Sequence, residues 1–263
     1  MPVISKLLFQ LAIGIALILC PVFWAQASPT DKVILLAYSN EGWPPYFMPQ
    51  GSPQCGMIMD ILNAAAKPLG YTFQAVYYPD ARSARLLKQG AVDAWPKARD
   101  WVPAPEKFYW SVPLTQVQDT LVFRNDGSPV FSYPEQMLGK TIGTVYNYKY
   151  PIFGPYFANA RISRSDSKDA LSQLKMLLRG RIDAVLMNKD VALWTMSHTP
   201  GLKKDSFVLA PEAVSTVDYR LMFTKAHDWE PFLKKFATQI EAIRQDGRYA
   251  QVLERYHNRT ITP

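Results

Sequence analysis

Three short stretches of the chain gather the side chains that could grip a small polar molecule. The first holds Asn40, Trp43, Pro44, Pro45, Tyr46 and Phe47. Its paired prolines stiffen a loop, and its rings offer flat apolar faces that also attract cations. Ligand contact is expected of Trp43, whereas Tyr46 could equally cap the core. The second runs Trp95-Pro96-Lys97-Ala98-Arg99-Asp100-Trp101. Here Lys97 and Arg99 could pair with a carboxylate while Trp95 supplies a ring. Just upstream, Asp80 and Arg82 open a helix close to the same edge, although a solvated helix face would account for Arg82 as well. The third is Tyr146-Asn147-Tyr148-Lys149-Tyr150, which mirrors the first at the end of a later strand, and Asn188 stands at a strand end further on. Together these stretches suit stacking plus a few oriented polar contacts, which is the chemistry of holding a solute.

Enzymatic constellations are sparse. The three histidines, His198, His227 and His257, sit in no motif. The chain has no Gly-x-Ser-x-Gly elbow and no Cys/His metal spacing. Asp80 or Asp100 could serve as an acid or base, so an enzyme is the alternative reading. No cofactor or metal is implied. The lone cysteine outside the N-terminal segment, Cys55, is expected to be structural.

The elements that must position these stretches are announced by a repeat. Leu87-Lys88-Gln89-Gly90-Ala91-Val92-Asp93-Ala94 returns as Leu177-Leu178-Arg179-Gly180-Arg181-Ile182-Asp183-Ala184. Each copy reads as a helix end, a glycine that can take the left-handed conformation, and a short strand. Two copies behind amphipathic helices suggest two similar α/β lobes. Ligands of open α/β sheets sit beyond the carboxyl ends of the strands, so a cleft between the lobes is the expected site.

The 263 residues, 48% hydrophobic and 13% aromatic, suffice for two packed cores. A positive start at Lys6, an apolar run from Leu11 to Phe23 and the Ala25-Gln26-Ala27 site read as a secretory leader cleaved after Ala27. Leu19 before Cys20 argues against a lipoprotein signal. The formal net charge of +7 is spread out, with no Lys/Arg run of a nucleic-acid-binding arm. Asn258-Arg259-Thr260 matches a glycosylation sequon by chance. A strand over residues 33–38, a helix from Gly56 to Lys67, a strand over 72–78 and a helix from Ala81 to Gln89 capped by Asp80 are expected. A strand over Thr120–Phe123 should leave the first lobe and one over Tyr219–Thr224 should return to it. In the second lobe a short strand is expected over Arg161–Ser163. Ser165 or Ser167 is expected to cap the next helix, with Leu171, Leu174 and Leu178 inward. A tail helix with Phe232, Phe236, Ile240 and Ile243 inward closes the chain, before a last helix from Tyr249 to Tyr256.

In this order the pieces resemble the extracellular solute-binding protein family 3. The carriers are Ala37 to Phe47, Gly56-x-x-x-Asp60, Leu87-x-x-Gly90-x-x-Asp93-Ala94, Trp110-Ser111-x-Pro113, Leu138-x-Gly-Lys-x-Ile-Gly143 and Ile243-Arg-x-Asp246-Gly247-x-Tyr249. The resemblance implies an α/β, two-lobed periplasmic binding protein type II fold with two hinge strands. It divides the chain into a signal peptide (1–27), lobe 1 (28–124 and 219–263) and lobe 2 (125–218). It implies a periplasmic protein that passes a small polar solute, an amino acid or related compound, to the permease of an ABC-type transporter, with Asn40, Trp43, Tyr46, Asp80, Lys97, Arg99, Tyr148, Lys149 and Asn188 as the positions that match the family's ligand wall. Nothing in the sequence bears on oligomers, and a monomer is the default. A dehydratase-like enzyme on the same scaffold and a ligand-sensing accessory protein of a membrane receptor are the alternatives. The family's carboxylate-binding Arg has no counterpart in Val102-Pro103-Ala104-Pro105-Glu106-Lys107, and its amine-binding Asp is matched by Asn188, with Asp190 nearby. Standard recognition of a free α-amino acid is therefore in doubt, and Lys97, Arg99 or Lys107 could replace the Arg.

Overall fold

The computed structural model describes residues 32–146 and 148–257. The expected leader with Cys20, Asn147 and the Asn258 sequon lie outside the described residues. Strand β1 (Lys32–Tyr38) is a nearly continuous apolar run, as suits a strand covered on both faces. It leads through the aromatic loop into helix α1 (Met57–Ala66), a 3-10 turn (Lys67–Leu69) and β2 (Tyr71–Tyr77). Helix α2 (Asp80–Gln89) precedes β3 (Ala94–Ala98). The two-residue β4 (Tyr109–Trp110) and the ten-residue β5 (Thr115–Arg124) follow. The next group is β6 (Thr141–Val145), α3 (Gly154–Ala158), β7 (Ser163–Ser167), α4 (Ala170–Leu178), β8 (Ala184–Asn188) and α5 (Lys189–His198). The chain then runs through β9 (Phe207–Leu209) and β10 (Ser215–Phe223) into α6 (Glu230–Gln245) and α7 (Arg248–His257).

The strands form one sheet in the order β2-β1-β3-β10-β5-β8-β6-β7. At one end β1 pairs in parallel with β2 and β3; at the other, β6 pairs in parallel with β7 and β8. Between these parallel groups run two antiparallel strands. The first half of β10 pairs with β5 and its second half with β3, meeting at Tyr219. Likewise β5 pairs with β10 as far as Asp119 and with β8 from Asp119 onward. Core residues cluster accordingly, around β1, α1 and α6 on one side and around β6, β8 and α4 on the other.

The repeat explains itself in atomic terms. Gly90 and Gly180 both take positive φ, 72° and 66°, and end α2 and α4. The residues after them return to the helix, with the Ala91 amide donating to Leu86 and the Arg181 amide to Met176, at 3.0 and 3.1 Å. Asp93 and Asp183 then do the same work in each half. The Asp93 carboxylate accepts the Leu35 amide at 2.7 Å, and the Asp183 carboxylate accepts the Thr141 amide at 2.7 Å. Each aspartate thus pins the strand that opens its own half to the strand that follows its helix.

Several local expectations need correction. Asp80 does not cap α2; Pro79 holds that place, and Asp80 sits in the first turn with its carboxylate turned to Lys97. Helix α4 is capped by Asp169, not by Ser165 or Ser167, because the Asp169 carboxylate accepts the Ser172 amide at 2.7 Å. Serines 165 and 167 belong to β7, which begins where the expected Arg161–Ser163 strand would end. The buried stripe of α4 is Gln173, Leu174 and Leu177, and Leu178 is exposed, since the helix starts later and its inner face is rotated. Both antiparallel strands begin several residues earlier than their apolar cores suggest, because backbone pairing carries them through Gln116, Gln118, Thr216 and Asp218. Cys55 is exposed rather than packed. The tail stripe Phe232, Phe236, Ile240 and Ile243 is buried as the spacing predicts.

Candidate functional site

The aromatic loop is locked from below. The Pro45 and Tyr46 carbonyls accept the Met57 and Ile58 amides at 2.9 Å, so the loop's own backbone satisfies the open N-terminus of α1. This close approach requires a glycine beside it: a Cβ on Gly56 would stand 2.4 Å from the Phe47 Cα. The Pro44–Pro45 peptide is cis. Trp43 is half-buried, stacked on Tyr46 with ring centres 4.5 Å apart. Its ring also meets Tyr219 at 5.6 Å and, edge to face, Trp101 at 6.3 Å. Trp101 lies 5.9 Å from Tyr219 and remains 45% exposed. Tyr219 is buried and donates its hydroxyl to the Pro96 carbonyl at 3.1 Å. The segments after β1 and β3 and the middle of β10 thus build one aromatic wall.

On the face of the sheet opposite to Tyr219, Lys97 is the register partner of Arg220. Asp80 pairs with Lys97 at 2.9 Å, and the Lys97 ammonium lies over the Trp95 ring, 4.0 Å from its centre. Trp95 itself is packed with Leu87, Phe108 and Met222, so its sequence neighbourhood reads as a site while its ring is mostly core. Tyr148, 49% exposed, comes from the other parallel group. Desolvation pushes its phenol above the usual range, and Asp80, Asp119 and Glu41 add to the rise. The Tyr219 phenol is raised chiefly by burial, with Tyr148 and Asp80 adding to it. The hydroxyl ends of these two tyrosines and the Asp80 carboxylate therefore share one electrostatic neighbourhood, although they come from distant parts of the sequence.

Tyr46 belongs beneath the wall. It is fully buried and donates its hydroxyl to Asp190 at 2.7 Å and to Asn188 at 3.3 Å. Burial, reinforced by the Asp190 carboxylate, drives its phenol far above its ordinary range. The Asn188 side-chain oxygen is otherwise engaged in capping α5, accepting the Asp190 and Val191 amides at 3.0 and 3.1 Å. The core-capping reading thus describes Tyr46, and Asn188 is a helix cap that ties β8 to the aromatic loop.

The structure brings Trp43, Tyr46, Asp80, Tyr148 and Asn188 into this region; Trp95 and Lys97 lie across β3 on the face opposite to Tyr219, and four further candidates stand apart from its ring and hydrogen-bond contacts. Asn40 is exposed in a turn. Arg82 is exposed on α2 over the Tyr78 ring at 4.6 Å, as a solvated face would have it. Lys149 is exposed. Arg99, also exposed, lines an open cavity of about 340 Å³ with Asp100, Thr216, Val217, Asp218 and Arg220. Sequence reading missed Asp119, Ser215 and Tyr219. The Asp119 carboxylate accepts the Ser215 hydroxyl at 3.1 Å, and its Cα is the register partner of both Ser215 and Asn188. Only an alternating count along β10 could have put Tyr219 beside the loop, and that count needs the register of the pairing. Among the described residues no group of histidines, cysteines and carboxylates is arranged to hold a metal ion.

Comparison with known proteins agrees with this architecture. No curated protein matches the sequence. Among solved structures, an ancestral arginine-binding protein bound to arginine is 18% identical, with a TM-score of 0.66 over 86% of this chain and 99% of that one. The GluR0 ligand-binding core from Nostoc punctiforme in complex with L-glutamate is 16% identical, with a TM-score of 0.64 over 86% of this chain and all of that one (100%). The substrate binding protein of an amino acid ABC transporter is 19% identical, with a TM-score of 0.60 over 86% and 100%. These likenesses establish the α/β, two-lobed periplasmic binding protein type II fold. The sequence model of the bacterial extracellular solute-binding proteins, family 3, matches residues 35–259. With the match running from β1 to just beyond α7, the chain belongs to the bacterial extracellular solute-binding proteins, family 3.

Proposed function

We propose that the protein captures a small polar solute between two lobes, outside the cytoplasm, and presents it to the permease of an ABC-type transporter. In this reading residues 28–124 and 219–263 form one lobe and 125–218 the other, with β5 and β10 as hinge strands. The leader is removed after Ala27 and the protein works as a monomer. The observation that carries the reading is the half-exposed aromatic wall of Trp43 and Trp101 after β1 and β3, with Tyr148 of the other half near enough to raise the Tyr219 phenol. Rings that are neither buried in a core nor fully solvated are suited to stack on a ligand that completes their burial. Membership of a solute-binding family supports the same role.

Intrinsic tryptophan emission of the purified protein tests it, because two indoles line the wall. Titration with amino acids, amines, dicarboxylates, short peptides and sugars should find a solute that shifts the emission and raises the melting temperature by mass action. Trp43→Ala should abolish the shift while the variant still unfolds cooperatively. Normal binding by that variant at unchanged stability would remove the wall from the site.

A further inference from the structure

Asp119 has no role in the sequence pattern, and its surroundings are unusual. None of the ion pairs among the described residues involves it. Its polar contact is the Ser215 hydroxyl at 3.1 Å. Side chains alternate along a strand, and directly paired residues share a face. Asp119 therefore lies on the face of β5 and β10 that carries Tyr219, whose ring meets Trp43 and Trp101 at 5.6 and 5.9 Å. Its charge is also felt by Tyr148 across the cleft.

Three of the cations nearby are held by carboxylates. Lys97 is held by Asp80 and the Trp95 ring. Arg164 is held by Asp166 at 2.9 Å, and by the Val145 and Tyr148 carbonyls. Arg220 is held by Asp218 at 2.8 Å and by the Ser111 carbonyl. Arg99 is exposed and lines an open cavity with Asp100 and with Thr216, Val217, Asp218 and Arg220 of β10. Lys149 is exposed. The wall thus offers π faces and a carboxylate, and the guanidinium groups of Arg164 and Arg220 are engaged elsewhere.

We propose that the solute is an organic amine without a carboxylate, its ammonium group held by Asp119 and its carbon chain covered by the rings of Trp43, Trp101 and Tyr148. The inference rests on reading the cleft as the solute site. An ammonium donates charge-assisted hydrogen bonds to a carboxylate and is attracted to indole faces, so one end of the ligand satisfies both features. A carboxylate on the same ligand would meet Asp119 and Glu41 without a matched guanidinium.

Tryptophan emission of the protein purified from the full chain, titrated with 1,4-diaminobutane, arginine, glutamine and glutamate, tests this. The diamine should bind more tightly than the three amino acids. Asp119→Asn should weaken it by roughly tenfold or more, the size of a lost charge-assisted bond. Unfolding curves recorded alongside show whether that variant folds. Trp101→Leu, which alters a half-exposed ring, should also weaken the diamine and leaves the proposal testable if Asp119→Asn fails to fold. Binding of an amino acid with no response to the diamine would overturn the amine inference and leave solute capture standing. No response to these four or to the wider panel would overturn both. Equal diamine affinity in wild type and Asp119→Asn would remove Asp119 from recognition.

Discussion

A carboxylate placed for binding carries a cost in the empty protein, and Asp119 lets that cost be measured. Burial is the largest influence on it and holds its carboxyl above the ordinary range, against the Ser215 hydroxyl, which favours the charged form. A folded-state value raised above the unfolded one means that stability is fully present below the unfolded carboxylate range and is lost as pH rises through the folded value. The neutral substitution Asp119→Asn removes that loss. In the absence of solute the variant should therefore melt higher than wild type near about pH 7, and the difference should shrink toward about pH 3.5, where both are uncharged. Melting curves across that range check it; a variant that melts lower at neutral pH would show that the carboxylate is stabilised by contacts beyond Ser215. Exposed pairs nearby offer no such lever, since an ion pair like Asp80–Lys97, with Asp80 60% exposed, contributes about 1 kcal/mol at most.

Helix–glycine–strand turns act as the repeated element, yet the two copies differ in what surrounds them. Both glycines have positive φ, so alanine at either carries a strain of about 1–2 kcal/mol. At Gly90 the added Cβ would also stand 2.6 Å from the Ala226 Cβ, which has no rotamer to escape by. At Gly180 it would meet the tip of Arg124 at 3.0 Å, and that flexible side chain can withdraw. Gly90→Ala should therefore lose more stability than Gly180→Ala, as read by denaturant midpoints; equal losses would mean that the Ala226 segment moves freely. Sequence disclosed these turns well because their chemistry is local: a left-handed residue followed by Asp-Ala needs no distant partner to be recognised. The caps and register were less legible. Asp80, Ser165 and Ser167 all had the right residue type for a cap, but the choice among neighbouring polar residues was made by where the sheet set each helix down.

On the scale of the molecule, β5 and β10 are where the parallel groups connect, and their pairing changes partner at Asp119 and Tyr219. Under the proposed division into lobes, rotation about these two points would open and close the cleft. Small-angle scattering should show a smaller radius of gyration when a bound solute is present than when it is absent. An unchanged radius at saturating solute would mean that capture occurs without closure. The bond from Tyr46 to Asp190 and Asn188 joins the aromatic loop to the start of α5, so this contact is a point that any such motion must spare or break.

Sequence alone determined the repeated α/β units, the buried stripe of α6, the aromatic loop after β1 and the family to which the chain belongs. Each of these depends on residues close together in the chain, where periodicity, proline and glycine act directly. Only the tertiary structure decided which of the candidate side chains share a neighbourhood. It set Arg82 over the Tyr78 ring and Arg99 at an open cavity, spent the Asn188 oxygen on capping α5, buried Tyr46, and brought Asp119 and Tyr219 in from strands that carry no motif. The reason is register: a strand shows opposite faces at alternate residues, and pairing with distant strands selects which face looks toward the cleft.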